Sequence, residues 1–143
     1  MKLRTEQYLV AGITVLMLVL VDQITKLIFF QKSIPLARFV SLSFTQNTGT
    51  IFGLFQRTNL VFIILSAIIL LLLLLLYRSH PHLQSGFNFI IAGAIGNLAD
   101  RIRLGYVVDF IDVYGWPVFN VADALIVLGI LMVLFMALRE QEE

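Results

Sequence analysis

The chain has 143 residues, 59% of them hydrophobic and 13% charged, with a net charge of +1 and a mean hydropathy of +0.95. One domain is the most this length accommodates, and a soluble protein of this size lacks the interior to bury so much apolar surface. So small a net charge excludes a basic nucleic-acid-binding face. The absence of cysteine excludes disulfides, thiolate metal sites and cysteine nucleophiles.

Four apolar segments predict an all-α membrane protein, residues 1–143 forming one membrane domain with four transmembrane helices. The first span covers about 8–30. It follows Lys2 and Arg4 as a signal peptide would, but it is too long and no small-x-small cleavage site follows it, so an uncleaved span is expected. An external loop, about 31–57, comes next. Its "RFVSLSFTQ" alternates Val40, Leu42 and Phe44 with Ser41, Ser43 and Thr45, a period of two that predicts a short strand or hairpin. "NTGTIFGLFQ" follows, with a turn at Asn47-Thr48-Gly49 and an interfacial segment of Ile51, Phe52, Leu54 and Phe55.

The second span, about 60–77, contains "LLLLLLL" and no charge. Only "RSHPHLQSG" separates it from the third, which begins near Phe87. The uncharged part of this third segment ends at Ala99 after 13 residues. A helix needs about 20 residues to cross the hydrocarbon core, so a span over 87–104 must take in Asp100, Arg101 and Arg103. A second external loop, about 105–117, carries "YVVDFIDVYGWP", a turn at Gly115-Trp116-Pro117, and Tyr106, Tyr114 and Trp116, which suit the headgroup belt. The fourth span, about 118–138, has Asn120 and Asp123 in its first turns.

Four spans with short connections alternate in direction. The end of the first, the end of the third and the start of the fourth therefore share one membrane face. Those places hold Asp22, Gln23 and Lys26; Asn97, Asp100 and Arg101; and Asn120 and Asp123. Within each set the i,i+3 and i,i+4 spacing puts side chains on one helix face. Each set also has a plainer reading: a structural Asp22–Lys26 pair, an interfacial Asp100–Arg101 salt bridge, Asn120 and Asp123 as helix cap and acidic third residue, Asp109 and Asp112 as solvated loop charges. Structural polar residues would scatter over both faces, and these gather at one, as an interior site or water-filled cavity requires.

The chemistry is then limited. His80 and His82 lie at the opposite face, which rules out a histidine-activated serine and a zinc site and leaves no metal or cofactor implied. Two carboxylates at close range cannot both ionise cheaply, so one holds a proton while the other activates water. Asp109 and Asp123 are the candidates, at the junction of the third span, its loop and the fourth span. Spacing alone does not choose between Asp109 and Asp112, but Asp109 is nearer the helix end and flanked by Val107, Val108, Phe110 and Ile111.

At this point the residues resemble a family. "DQITK" (Asp22 to Lys26), "QNTGTIFG" (Gln46 to Gly53), "GNLADRIRLGYVVDF" (Gly96 to Phe110) and "FNVAD" (Phe119 to Asp123) occur in the order found in bacterial lipoprotein signal peptidases, also called signal peptidase II. One departure is visible: after Asn-x-Gly the family usually has two small residues before the aromatic, whereas Thr50 and Ile51 precede Phe52 here.

The resemblance implies an aspartic endopeptidase that removes signal peptides from diacylglyceryl-modified prolipoproteins, cutting just before the lipidated Cys. It implies Asp109 and Asp123 as the catalytic pair, with Asn97, Arg101, Asn120, Asp22, Lys26, Asn47, Gly49 and Asp100 binding substrate or supporting the site. It further implies globomycin-type inhibitors, a monomer, and residence in the bacterial cytoplasmic membrane with both termini cytoplasmic and the site toward the outer face. The charges do not set the orientation: Lys2, Arg4, Arg78 and Arg139 on one side face Lys32, Arg38, Arg57, Arg101 and Arg103 on the other. Two alternatives remain on the residues alone, a small four-span proton-coupled transporter and a structural membrane subunit.

Overall fold

Long uncharged runs of Leu, Ile and Val have no polar partner outside their own backbone, so they fold as helices that satisfy every amide internally. The computed structural model describes residues 2–49 and 58–140. In chain order it contains helix α1 (Lys2–Phe29), strands β1 (Ser33–Ala37) and β2 (Val40–Asn47), helix α2 (Thr58–Ser79), one 3-10 turn (Pro81–Leu83), helix α3 (Gln84–Leu104), strand β3 (Val107–Val113) and helix α4 (Val121–Glu140). The expected interfacial segment with Ile51, Phe52, Leu54 and Phe55, together with Thr50 and Arg57, lies outside the described residues.

Among the described residues, three stretches are long and apolar enough to cross a membrane: Glu6–Phe29, Asn59–Ser79 and Val121–Glu140. Their large side chains point outward. Leu9, Ile13 and Leu16 on α1, Leu72 and Leu75 on α2, and Leu131 and Phe135 on α4 are all exposed. Apolar surface this continuous does not face water on a monomer; it suits lipid. Helix α3 has comparable length, 21 residues, but its mean hydropathy is lowered by the charges in its last turns.

Helix α3 is the centre of the bundle and packs against the other three helices, most extensively α4. Small residues permit the approach. A Cβ on Gly129 would lie 2.7 Å from the Gly86 carbonyl oxygen, and one on Gly93 would collide with the Ala122 carbonyl. Lipid supplies no hydrophobic drive between helices, so close backbone packing of this kind carries the association. Leu73 and Tyr77 of α2 meet Leu83, Phe87 and Ile91 in a buried cluster at the other side of α3.

Gly105, at φ 84°, adopts the left-handed conformation that ends α3, and its N–H donates to the Arg101 carbonyl at 3.2 Å. The chain then enters β3. This is the main difference from expectation, since residues 105–117 read as a loop and the β element as one strand or hairpin. The observed sheet is antiparallel with order β1-β2-β3. "VVDFIDV" lacks the alternation of a half-buried strand because Val107, Val108, Asp109 and Phe110 are all buried, on both faces. Its register against β2 places Thr45 opposite Asp109 and Ser41 opposite Asp112, with a bulge between Leu42 and Thr45.

Candidate active site

Strand geometry separates the two carboxylates that spacing left ambiguous. Side chains alternate along β3, so residues three apart point to opposite faces. Asp112 turns to the sheet, where the Ser41 hydroxyl donates to its Oδ2 at 3.3 Å. Asp109 turns to the helix bundle and is 1% exposed.

Asp109 is held by two amides. Asn47 Nδ2 donates to Oδ2 at 2.8 Å and Asn120 Nδ2 donates to Oδ1 at 2.6 Å. Asn47 is aimed by its own turn: its Oδ1 accepts the Gly49 N–H at 2.9 Å, and Gly49 has φ 75°, a conformation glycine adopts without strain. A Cβ there would also strike the Phe62 ring.

Asn120 sits at the start of α4 and links both carboxylates. Its Oδ1 accepts the Asp123 N–H at 3.0 Å, and Asp123 Oδ2 accepts the Asn120 N–H at 3.2 Å. This reciprocal pair is a capping box with Asp in the third position. The plainer reading of these residues as a cap is met, and the cap leaves the Asn120 amide nitrogen available. It reaches Asn97 Oδ1 at 3.1 Å as well as Asp109. Asn97 in turn donates from Nδ2 to Asp123 Oδ1 at 2.8 Å. Asp109 and Asp123 are therefore joined through Asn97 and Asn120, with Asp123 the more open of the two.

Beneath them lies a buried ionic cluster. Lys26 Nζ is 3.0 Å from Asp22 Oδ2, 3.0 Å from Asp100 Oδ2 and 3.0 Å from Asn97 Oδ1. Two carboxylates around one ammonium need further donors. Asp22 Oδ1 accepts the Ala122 N–H at 2.8 Å in the first turn of α4, and Asp100 Oδ2 accepts the Val108 N–H at 3.1 Å at the start of β3. A Cβ on Gly96 would run into Asp22 Oδ2, so that glycine admits the carboxylate between α1 and α3. The cluster ties α1, α3, β3 and α4 at one point.

Asp100 is thus partnered by Lys26, and by Arg103 at 3.4 Å, rather than forming the interfacial salt bridge with Arg101 that spacing allowed. Gln23 and Arg103 also belong here. Gln23 Nε2 donates to Asp22, to the Gly96 carbonyl and to Asp100, and its Oε1 accepts from Arg103 at 3.2 Å. Sequence reasoning placed Gln23 among the polar residues of that face without a site role and gave Arg103 none, although Arg103 three residues after Asp100 was a visible signal. Arg101 stands apart: its guanidinium lies 5.3 Å from the Phe62 ring centroid, within electrostatic reach of Asp123 and Asp109. Asn59 of α2 donates to the Arg101 carbonyl at 3.0 Å.

Burial pushes the Asp109 carboxyl up from its ordinary value of 3.8 to about 6. The Asn47 and Asn120 amides and the Lys26 charge oppose the rise and the Asp123 charge adds to it, but desolvation is the largest effect. A carboxyl near 6 exchanges its proton in the neutral range, as an acid–base group must. No trio of His, Asp or Glu with metal-ligand geometry occurs among the described residues.

A model of the family described as signal peptidase II matches residues 14–139. A lipoprotein signal peptidase of Halothermothrix orenii is 39% identical over 140 residues, covering 92% of this chain and 96% of its own. One from Thermodesulfovibrio yellowstonii is 36% identical over 139 residues, covering 90% and 95%. Two solved bacterial membrane enzymes, determined in meso at 2.3 and 1.9 Å, each superpose with a TM-score of 0.81. Their identities are 27% and 28%; the first covers 92% of this chain and 89% of its own, the second 90% and 92%.

Proposed function

The chain belongs to the signal peptidase II family, and from that membership we propose that it removes signal peptides from bacterial prolipoproteins, with Asp109 and Asp123 as the catalytic pair. The observation that carries the assignment is the joining of these two carboxylates through Asn97 and Asn120 at the end of a membrane bundle. Neither a proton-coupled transporter nor a structural subunit is favoured, since the family is one of proteases.

The reaction follows from the pair's unequal surroundings. Asp123, more open, takes a proton from a water molecule as the water oxygen attacks the scissile carbonyl carbon. Asp109, favoured by burial to hold the shared proton, gives it to the carbonyl oxygen. Collapse of the tetrahedral intermediate breaks the C–N bond, and a proton returned from the pair leaves with the amine. Asn47, Asn97 and Asn120 fix the two carboxyl groups. Asp22, Lys26 and Asp100 act through Asn97 and the backbone of α4 and β3, as positioning residues. Arg101 supplies positive charge beside the pair.

The substrate is a prolipoprotein whose lipobox Cys carries diacylglycerol, cut just before that Cys. A lipid-linked substrate accounts for a site built between membrane helices. Helix α3 serves as the third span in chain order and completes the set of four, its length near 30 Å at about 1.5 Å per residue and its charges sheltered by the ionic cluster and Phe62. The protein acts as a monomer in the cytoplasmic membrane, termini inside and site toward the outer face, and binds globomycin-type inhibitors. Incubating the purified protein with a diacylglyceryl prolipoprotein tests this directly. A smaller product on a gel is expected; an unprocessed substrate alongside a folded enzyme would refute it.

A further inference from the structure

Helices α1 and α2 both pack on α3 but scarcely touch each other. Between them runs an open groove of about 780 Å³. It lies away from the carboxylates: its lining residues on α3, Asn88 and Ile91, precede Asn97 by six positions or more, about 9 Å or more at the helical rise. Small residues make the groove. Ala11, Gly12 and Val15 of α1 face Leu71, Leu74 and Leu75 of α2, and a Cβ on Gly12 would meet no heavy atom within 4 Å.

The groove is apolar along its length and polar at one end. There Tyr8 and Tyr77 stand with ring centroids 6.4 Å apart, beside Arg78 in the last turn of α2. Arg78 is exposed and joins no ion pair among the described residues. Tyr77 is more than nine-tenths buried, yet its Oη makes no hydrogen bond. The Asn88 side chain is close enough to act on it as a hydrogen-bonding group, but outside the geometry of a formed hydrogen bond. In a bilayer no water reaches such a hydroxyl cheaply, so an unmet donor there points to a partner.

We propose that this groove holds one anionic phospholipid, an acyl chain lying along Gly12 and Leu74, an ester oxygen accepting from Tyr77, and the phosphate on Arg78. The volume falls within the roughly 300–1,000 Å³ of small-molecule sites, room for part of a lipid with the remainder in the bilayer. Charge selects this occupant over the apolar segment of a signal peptide, whose leading region is basic and would meet Arg78.

The full-length protein, washed in detergent and then titrated with vesicles of phosphatidylglycerol or of phosphatidylcholine, gives the test by native mass spectrometry. One phosphatidylglycerol should be retained per chain, with phosphatidylcholine retained about tenfold less, the scale of one charged hydrogen bond. Arg78→Gln should erase that preference, and Gly12→Leu, which fills open space, should reduce retention of both lipids. Tyr77→Phe should weaken retention while leaving the apolar cluster in place. Equal retention of the two lipids by the parent, or unchanged retention in Arg78→Gln and Gly12→Leu, would overturn the proposal. So would a Gly12→Leu protein that keeps its lipid but has a raised KM for prolipoprotein, because the groove would then belong to the signal peptide. Lipid retention is read without substrate, so that readout is independent of the peptidase assignment; only the KM comparison rests on it.

Discussion

Lys26 Nζ donates to Asn97 Oδ1 over 3.0 Å, and this contact joins the buried ionic cluster to the two carboxylates. The same Asn97 oxygen accepts from Asn120, and the Asn97 amide nitrogen donates to Asp123. Asn97 therefore carries the position of α1 into the site. Lys26 and Asp22 are i,i+4 on α1, but their further partners come from α3 and α4, and Asp100 extends the cluster to β3.

Replacing Lys26 leaves Asp22 and Asp100 buried without their shared cation, which costs about 3–5 kcal/mol when a buried pair is broken. Lys26→Ala should therefore lower folded yield and thermal stability in detergent. Its charge also holds the Asp109 carboxyl down, and Asp109 is the partner that must keep its proton, so the remaining activity should have its alkaline limb displaced to higher pH. Asp22→Asn should be destabilised with activity partly kept. Intact stability together with complete loss of cleavage in Asp22→Asn would assign that residue a direct part in the chemistry.

Asparagine keeps the shape of aspartate and removes the titrating group. Asp109→Asn and Asp123→Asn should each reduce prolipoprotein cleavage by at least about 100-fold, the lower range for losing a general acid or base, with membrane insertion unchanged. Asp112→Asn should keep most activity, since Asp112 faces the Ser41 hydroxyl on the other side of β3. A gel-shift assay on the three purified variants decides the matter. An active Asp109→Asn protein, or a folded but dead Asp112→Asn protein, would mean the wrong carboxylate has been chosen.

The raised Asp109 value sets a pH dependence of stability. Below the unfolded value of 3.8 the carboxyl is protonated in both states and contributes nothing. Between 3.8 and about 6 the folded protein holds a proton that the unfolded chain has lost, so stability falls as pH rises through this window. Above it a penalty of roughly 3 kcal/mol persists. Asp109→Asn lacks the penalty but loses one acceptor, because either Asn47 or Asn120 must then face its amide NH2. The stability of Asp109→Asn relative to the parent should increase from pH 4 to pH 6.5 and level off. A constant difference across that range would remove the buried-acid account.

Cleavage itself should follow a bell-shaped pH profile whose two apparent values belong to the pair. Serine-directed, cysteine-directed and chelating reagents should leave it intact. Loss of activity on chelation, restored by added metal, would replace the two-carboxylate mechanism.

Gly96→Ala probes the passage of Asp22. The added Cβ meets the Asp22 carboxylate and lies 3.4 Å from the Ala122 Cβ. Overpacking of this kind typically costs about 1–3 kcal/mol, and the shift should propagate to the start of α4 through the Asp22–Ala122 hydrogen bond. Lower thermal stability with reduced kcat is expected. A variant with parental stability and rate would show that the helices part without consequence.

The three apolar stretches long enough to cross a membrane were legible because helical spans are local: 20 or so apolar residues suffice to specify one. The gathering of Asp22, Asn97, Asp100, Asn120 and Asp123 at one end followed from chain parity and helical spacing alone, which act over a few residues at a time. The choice of Asp109 over Asp112 on geometry required β3, and β3 exists only because β2, some 60 residues earlier, supplies its hydrogen bonds. "VVDFIDV" has no strand period of its own, since both its faces are covered. The partner of Asp100 was likewise a tertiary matter. Arg101 is its neighbour in sequence, but the helix turns Arg101 toward Phe62 and packs Lys26 of another helix against Asp100. Local periodicity placed the charged groups on the right helices. Pairing among them was decided by packing between helices, where one ammonium satisfies two buried carboxylates only because α1 and α3 meet around it.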